Sequence, residues 1–121
     1  MDIPQGDSTY DAATANMGSR WKMPTKDQGQ ELINETNHIW TTINGVNGRK
    51  FTSKTYSTKY ILLPAAGDWY ELTSRDKGSV GHYWNTKHVN AGKVSHLYLT
   101  SSAARLNPSL PYVGFSVRAI Q

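Results

Sequence analysis

At 121 residues with a net charge of +4, the chain is long enough for one domain with a modest core. Its apolar fraction is 37%, with two Phe against four Trp and seven Tyr, which suits a loop-rich α+β or β domain and disfavours a helical bundle. The absence of Cys excludes disulfide scaffolds, thiolate metal sites and cysteine catalysis, and no apolar run is long enough to span a bilayer as a helix.

Residues 1–9 read as a flexible lead-in and 10–121 as a single domain. The opening MDIPQGDSTY is polar and has no signal-peptide core, so a targeting segment is expected to lie outside this chain. Tyr10, Ala13 and Met17 recur at helical spacing before Gly18, which predicts a short helix over 10–17. Trp21-Lys22-Met23-Pro24 reads as extended. Thr25-Lys26-Asp27-Gln28 then fits a capping box, with Asp27 favourably placed in the positive first turn, and Leu32 and Ile33 supply an apolar patch. Asn34 to Asn37 is expected to end this helix.

His38–Ile43 is rich in strand formers. Asn44-Gly45-Val46-Asn47-Gly48 holds two Asn-Gly pairs and reads as a turn, with Arg49–Ser53 returning as a strand. Tyr60-Ile61-Leu62-Leu63, closed by Pro64, is expected to be a buried central strand. Asp68–Ser79 reads as a loop with its own aromatic pair, Trp69-Tyr70. Val80–Thr86 is a further strand, and 87–92 a loop. Val94–Thr100 alternates, with Leu97 and Leu99 on one face and His96, Tyr98 and Thr100 on the other, as in a half-buried strand. Ser101–Pro111 reads as a long polar loop, and Tyr112–Ile120 as a closing strand with Phe115 and Val117 facing one way.

These pieces, in order, resemble the major paralogous domain of Fibrobacter and Bacteroides surface proteins. The residues that carry the likeness are Asp11-Ala12-Ala13, Gly18-Ser19-Arg20-Trp21-Lys22-Met23-Pro24-Thr25, Glu31-Leu32, Trp40-Thr41 with Asn44–Gly48, Leu63-Pro64-Ala65-Ala66-Gly67, Gly81-His82-Tyr83-Trp84 and Gly114-Phe115-Ser116-Val117-Arg118. The likeness runs from about Tyr10 to Ile120. Gln28-Gly29 departs from it where the family has an acidic residue and Trp, and Ala119 where it often has Pro. The resemblance implies a C-type-lectin-like fold, related to that of formylglycine-generating enzymes, with two short N-terminal helices packed on twisted antiparallel sheets. It also implies an extracellular setting, on a bacterial cell surface or a phage virion.

Members of that family serve as variable proteins of diversity-generating retroelements, in which template Asn codons are randomised at adenines. The resemblance puts the corresponding positions at His96, Tyr98, Thr100, Ala103, Arg105, Asn107, Pro108, Ser109, Leu110 and Val113. Each is a residue type reachable from AAC or AAT by changing the two adenines. Val94–Ile120 contains no Lys, Glu, Gln, Met or Trp, the types such a process cannot produce.

The C-terminal region is locally basic, because all nine acidic residues lie at or before Asp76. It has no Lys/Arg run and no nucleic-acid motif, so it reads as a solvated basic surface and no nucleic-acid partner is expected. His38, His82, His88 and His96 are scattered without the pairwise helical spacing of a metal site, and no P-loop, dinucleotide motif or nucleophile elbow is present. Trp84-Asn85-Thr86 is similar to a calcium-lectin Trp-Asn-Asp motif but lacks its carboxylate. No catalytic residue, metal or cofactor is therefore assigned.

Tyr and Trp give rigid contact area at low entropic cost, and Ser, Asn and Thr add adaptable hydrogen bonds. The candidate ligand-binding residues are His82, Asn85, His88, Asn90, His96, Tyr98, Thr100, Arg105, Asn107, Ser109, Leu110 and Tyr112. Trp21, Trp40 and Trp84 are expected in the core, and Arg118 is expected to hold the terminal strand by hydrogen bonds. The expected function is non-enzymatic recognition of diverse protein or carbohydrate ligands on other surfaces through the C-terminal region, as the resemblance implies for a variable protein of a diversity-generating retroelement. The alternatives are a fixed adhesin or carbohydrate-binding module, and a degenerate member of the formylglycine-generating fold.

Overall fold

The second helix starts where its capping box predicts, and the first starts at Ala12, two residues after the expected Tyr10. The structure, a computed structural model, describes residues 2–89, 92–111 and 113–121. Helix α1 spans Ala12–Met17 and stops at Gly18. Its N-cap, Asp11, is fully buried and accepts from the N–H groups of Ala13 and Thr14 at 2.9 and 3.2 Å. The same carboxylate accepts from Gly6 N–H at 2.9 Å and Met23 N–H at 3.0 Å, so it joins three stretches of chain. Burial alone pushes its pKa up; the four backbone N–H groups outweigh burial and hold it below the ordinary carboxylate value. The expected lead-in is not loose. Ile3 N–H donates to Thr86 O at 2.8 Å, and the Asp2 carboxylate accepts from His88 N–H at 3.1 Å.

Helix α2 spans Lys26–Glu35 behind a reciprocal capping box, with Gln28 N–H on Thr25 Oγ1 and Thr25 N–H on Gln28 Oε1. It runs directly into β1 (Thr36–Ile43), so Asn37 already lies in the strand. Strand β2 (Val46–Ser53) returns from a tight turn at Asn44-Gly45, whose φ values of 51° and 79° are those of a two-residue hairpin loop. The second Asn-Gly pair is not part of the turn. Gly48 sits inside β2, where a Cβ would meet the backbone of Leu63 and Pro64 on the next strand. That strand, β3 (Tyr60–Pro64), is an edge strand and not a central one: the order is β1-β2-β3, and Tyr60 is 48% exposed while Leu63 is buried.

The predicted 68–79 loop contains a small hairpin, β4 (Asp68–Tyr70) with β5 (Thr73–Arg75). Arg75 locks it by donating to both Asp68 carboxylate oxygens, at 2.9 and 2.7 Å. The second main sheet is β6 (Gly81–His88), β7 (Val94–Leu99) and β8 (Ala104–Ser109), in that order and antiparallel. Most of the expected 101–111 loop is therefore strand. Pro108 disguises it, and its missing N–H is tolerated because β8 lies at the sheet edge.

The expected closing strand over 112–120 does not form as a strand over its described residues, 113–120. The tail makes isolated bridges instead: Gly114 with Trp69, Ser116 with Tyr83, and Ile120 with Lys22. It crosses three neighbours in turn rather than running along one. Val117 is exposed, and the exposed Arg118 side chain makes no hydrogen bond among the described residues, so it does not hold the tail.

The core lies between the two main sheets. Phe51, Leu63, Tyr83, Leu97 and Leu99 are buried together, and Leu32 and Ile33 of α2 pack against them with Trp40, Ile61, Ala104 and Leu106. Burying each large apolar side chain contributes roughly 1.5–3 kcal/mol. Trp40 packs on this core half-buried; Trp21 and Trp84 are half-buried as well. The architecture is α+β, with mostly antiparallel sheets. No helix among the described residues is long and apolar enough to cross a membrane.

Arg49 ties the sheets together. It is 6% exposed, donates to Thr100 O at 2.9 Å and faces His38 Nδ1 at 3.1 Å. Burial and then the Arg49 charge push the His38 pKa down, with a backbone bond from Ile33 opposing, so a neutral ring can accept from the guanidinium. Arg49 thereby fixes the position of the β7–β8 turn.

Candidate ligand-binding face

Alternation along β6–β7–β8 sorts the side chains onto two faces. Tyr83, Leu97 and Leu99 point to the core. His82, Trp84, His96, Tyr98, Arg105 and Asn107 share the other face, because His82 lies opposite Tyr98 and Tyr98 opposite Arg105, while Trp84 lies opposite His96 and His96 opposite Asn107.

The rings on this face are closely packed. His82 is stacked between Tyr98 (centroids 5.2 Å apart, planes at 2°) and Phe115 of the tail (4.3 Å, 9°). Phe115 also meets Trp84 at 4.3 Å and His96 at 4.6 Å. The Arg105 guanidinium lies 5.2 Å over the Tyr98 ring. The face therefore has a covered half under Phe115 and an open half led by the exposed Arg105 and the half-buried Tyr98, Asn107 and Ser109.

Burial governs the two imidazoles in the covered half. His96 is 4% exposed and its pKa is pushed down to about 4, by burial first and then by the neighbouring His82; a backbone bond with Asn107 and the Asp68 charge oppose this. The His82 pKa is lowered as well, by burial, with Arg75 adding to it and Asp68 and Asp76 opposing. Both Nδ1 atoms are buried without a hydrogen-bond partner. No group of three or more His, Asp or Glu side chains is placed to hold a metal ion among the described residues.

The predicted residues therefore separate. Tyr98, Arg105, Asn107 and Ser109 come together on the open half, with Thr100 at the turn, where its Oγ1 accepts from Ala103 N–H at 3.2 Å. Leu110 follows β8 and is 36% exposed. His96 shares the face but lies beneath the tail, so it cannot present a free ring. Asn85 points the other way and is 2% exposed, with Nδ2 donating to Ser95 Oγ at 3.0 Å and Oδ1 accepting from Lys87 N–H at 3.1 Å, so it supports the strand from within. His88 ends β6, beside Asp2. Asn90 and Tyr112 lie outside the described residues.

Sequence reasoning missed Phe115 as the cover of the face and Trp69 as its neighbour. Trp69 is 56% exposed, and its backbone exchanges hydrogen bonds with Gly114 at 2.7 and 2.6 Å, so the β4–β5 hairpin hangs on the tail beside the covered rings. The Trp69-Tyr70 pair was the available signal, hidden by the loop reading around it.

Compared with protein-family models, with curated proteins and with solved structures, the chain matches none.

Proposed function

We propose that this chain is a non-enzymatic binding domain of the C-type-lectin-like class, a variable protein of a diversity-generating retroelement that recognises ligands through the outer face of the β7–β8 hairpin. One observation carries the reading. Residues of types reachable from a randomised Asn codon alternate with core residues in the ladder: His96, Tyr98, Arg105, Asn107 and Ser109 share the outer face, while Leu97, Leu99 and Leu106 pack inward. A scaffold of this kind accepts changes at every second residue without losing its core. Extracellular display, on a cell surface or a phage virion, belongs to the same proposal.

The test is deep sequencing of the last forty or so codons from the native population, with flanking DNA. The expected result is variation concentrated at Tyr98, Arg105 and Asn107–Leu110, with a nearby invariant template rich in adenine. Codons there as invariant as those for Trp21–Thr25, with no template, would sink the reading.

A second reading, a fixed adhesin or carbohydrate-binding module, draws on two aromatic features, the exposed Trp69 beside Gly114 of the tail and the Tyr98 ring under Arg105, against either of which a sugar ring can pack. Glycan-array retention lost on Tyr98→Ala and Trp69→Ala would favour it.

A further inference from the structure

A cavity of about 420 Å³ opens behind the binding face, between α2, the core side of β6–β7 and the tail. Its walls include Trp21, Leu32, Ile61, Leu63, Tyr83 and Leu97. Two polar side chains that line the cavity, Tyr83 and Asn85, are already engaged, while Gln28 and Gln121 stand at its polar margin. The Tyr83 hydroxyl donates to Pro64 O at 2.7 Å, and both ends of the Asn85 amide are bonded to Ser95 and Lys87. The lining is mostly apolar, so water held there finds few groups to bond to.

Arg118 carries the only charged side chain among the described residues that line the cavity. It is exposed and makes no ion pair or hydrogen bond among the described residues. Ala119 and Ile120 beside it line the same space. Mostly apolar walls with a few polar groups are the usual composition of a small-molecule site, and a guanidinium at the rim with no ion pair among the described residues favours a carboxylate.

We propose that this cavity binds an apolar small molecule bearing a single carboxylate, with its hydrocarbon between α2 and β6–β7 and its carboxylate on Arg118. This site is independent of the β7–β8 face, and its test does not depend on that reading. Binding is followed with 1-anilinonaphthalene-8-sulfonate, whose fluorescence rises on burial, displaced by laurate or by uncharged dodecanol. The full chain should bind the dye saturably at one site and release it to laurate. Arg118→Gln should weaken laurate about tenfold, as for one lost charge-assisted bond, and leave dodecanol unchanged. Ala119→Trp, which fills the space, should abolish both while the circular dichroism stays native. If the Trp variant fails to fold, the laurate–dodecanol contrast in Arg118→Gln still decides. Three results overturn the proposal: no saturable laurate binding, equal laurate affinity in Arg118→Gln, or a dimer that Ala119→Trp dissociates, which would make this surface a contact between copies.

Discussion

Two buried titratable side chains show how much a single residue can organise here. Asp11 has four backbone donors drawn from three stretches of chain, so its charge is compensated without an ion pair. His96 has the opposite arrangement: it is buried with an unpartnered Nδ1 and is kept neutral. Its folded-state pKa lies near 4, below the ordinary 6.5, so the unfolded chain binds the proton first as the solution acidifies. The stability due to its neutrality is fully present above 6.5 and is lost as pH falls toward 4. The expected cost of that descent is roughly 3 kcal/mol. Urea unfolding of the wild type and of His96→Phe at pH 7, 5 and 4 isolates it, since the variant keeps a ring in place but cannot titrate. The difference between the two should move against the wild type by about that amount; a difference that stays flat with pH would place the imidazole in water.

At the scale of elements, the β7–β8 hairpin holds the strongest expectation. Leu97→Ala and Leu99→Ala should each cost about 2–5 kcal/mol, because those side chains pack in the core. Arg105→Ala and Ser109→Ala should shift stability by about 0.5 kcal/mol or less. Urea midpoints at constant m-value check this, and comparable losses on both faces would mean that the register has slipped by one residue. What was legible in the sequence follows from local chemistry. The α2 capping box, the Gly18 stop and the Leu97/Leu99 alternation each state their structure within a few residues. What was not legible depends on partners distant in the chain. Strand β8 has weak apolar patterning and a Pro, and forms because β7 offers it a ladder. Strand β3 is wholly apolar yet lies at an edge, since its burial comes from packing on β2 and the core rather than from neighbours on both sides. The β4–β5 hairpin depends on the Asp68–Arg75 fork, and the position of Gly48 depends on how closely β3 approaches. The candidate face was half legible: alternation put Tyr98 on the side away from the core, but nothing local revealed that Phe115 would lie over His96.

For the whole molecule, the tail is what connects the face, the β4–β5 hairpin and the N-terminal segment. Phe115 packs on three rings, those of His82, Trp84 and His96, and covers the two imidazoles. Phe115→Ala should destabilise the protein by about 2 kcal/mol and raise the pKa values of both His82 and His96 toward 6.5. Proton NMR titration of the imidazole resonances reads this directly; unchanged titration in the variant would mean that strand packing, not the tail, dries the rings. The tail is fastened differently from everything beneath it. Its bridges at Gly114, Ser116 and Ile120 fall on separate partners, whereas β7 and β8 are zipped along a continuous ladder. Such a fastening works like a row of independent clips. A single clip costs less to open than a ladder, so the aromatic surface under Phe115 is expected to be uncovered before the fold itself comes apart.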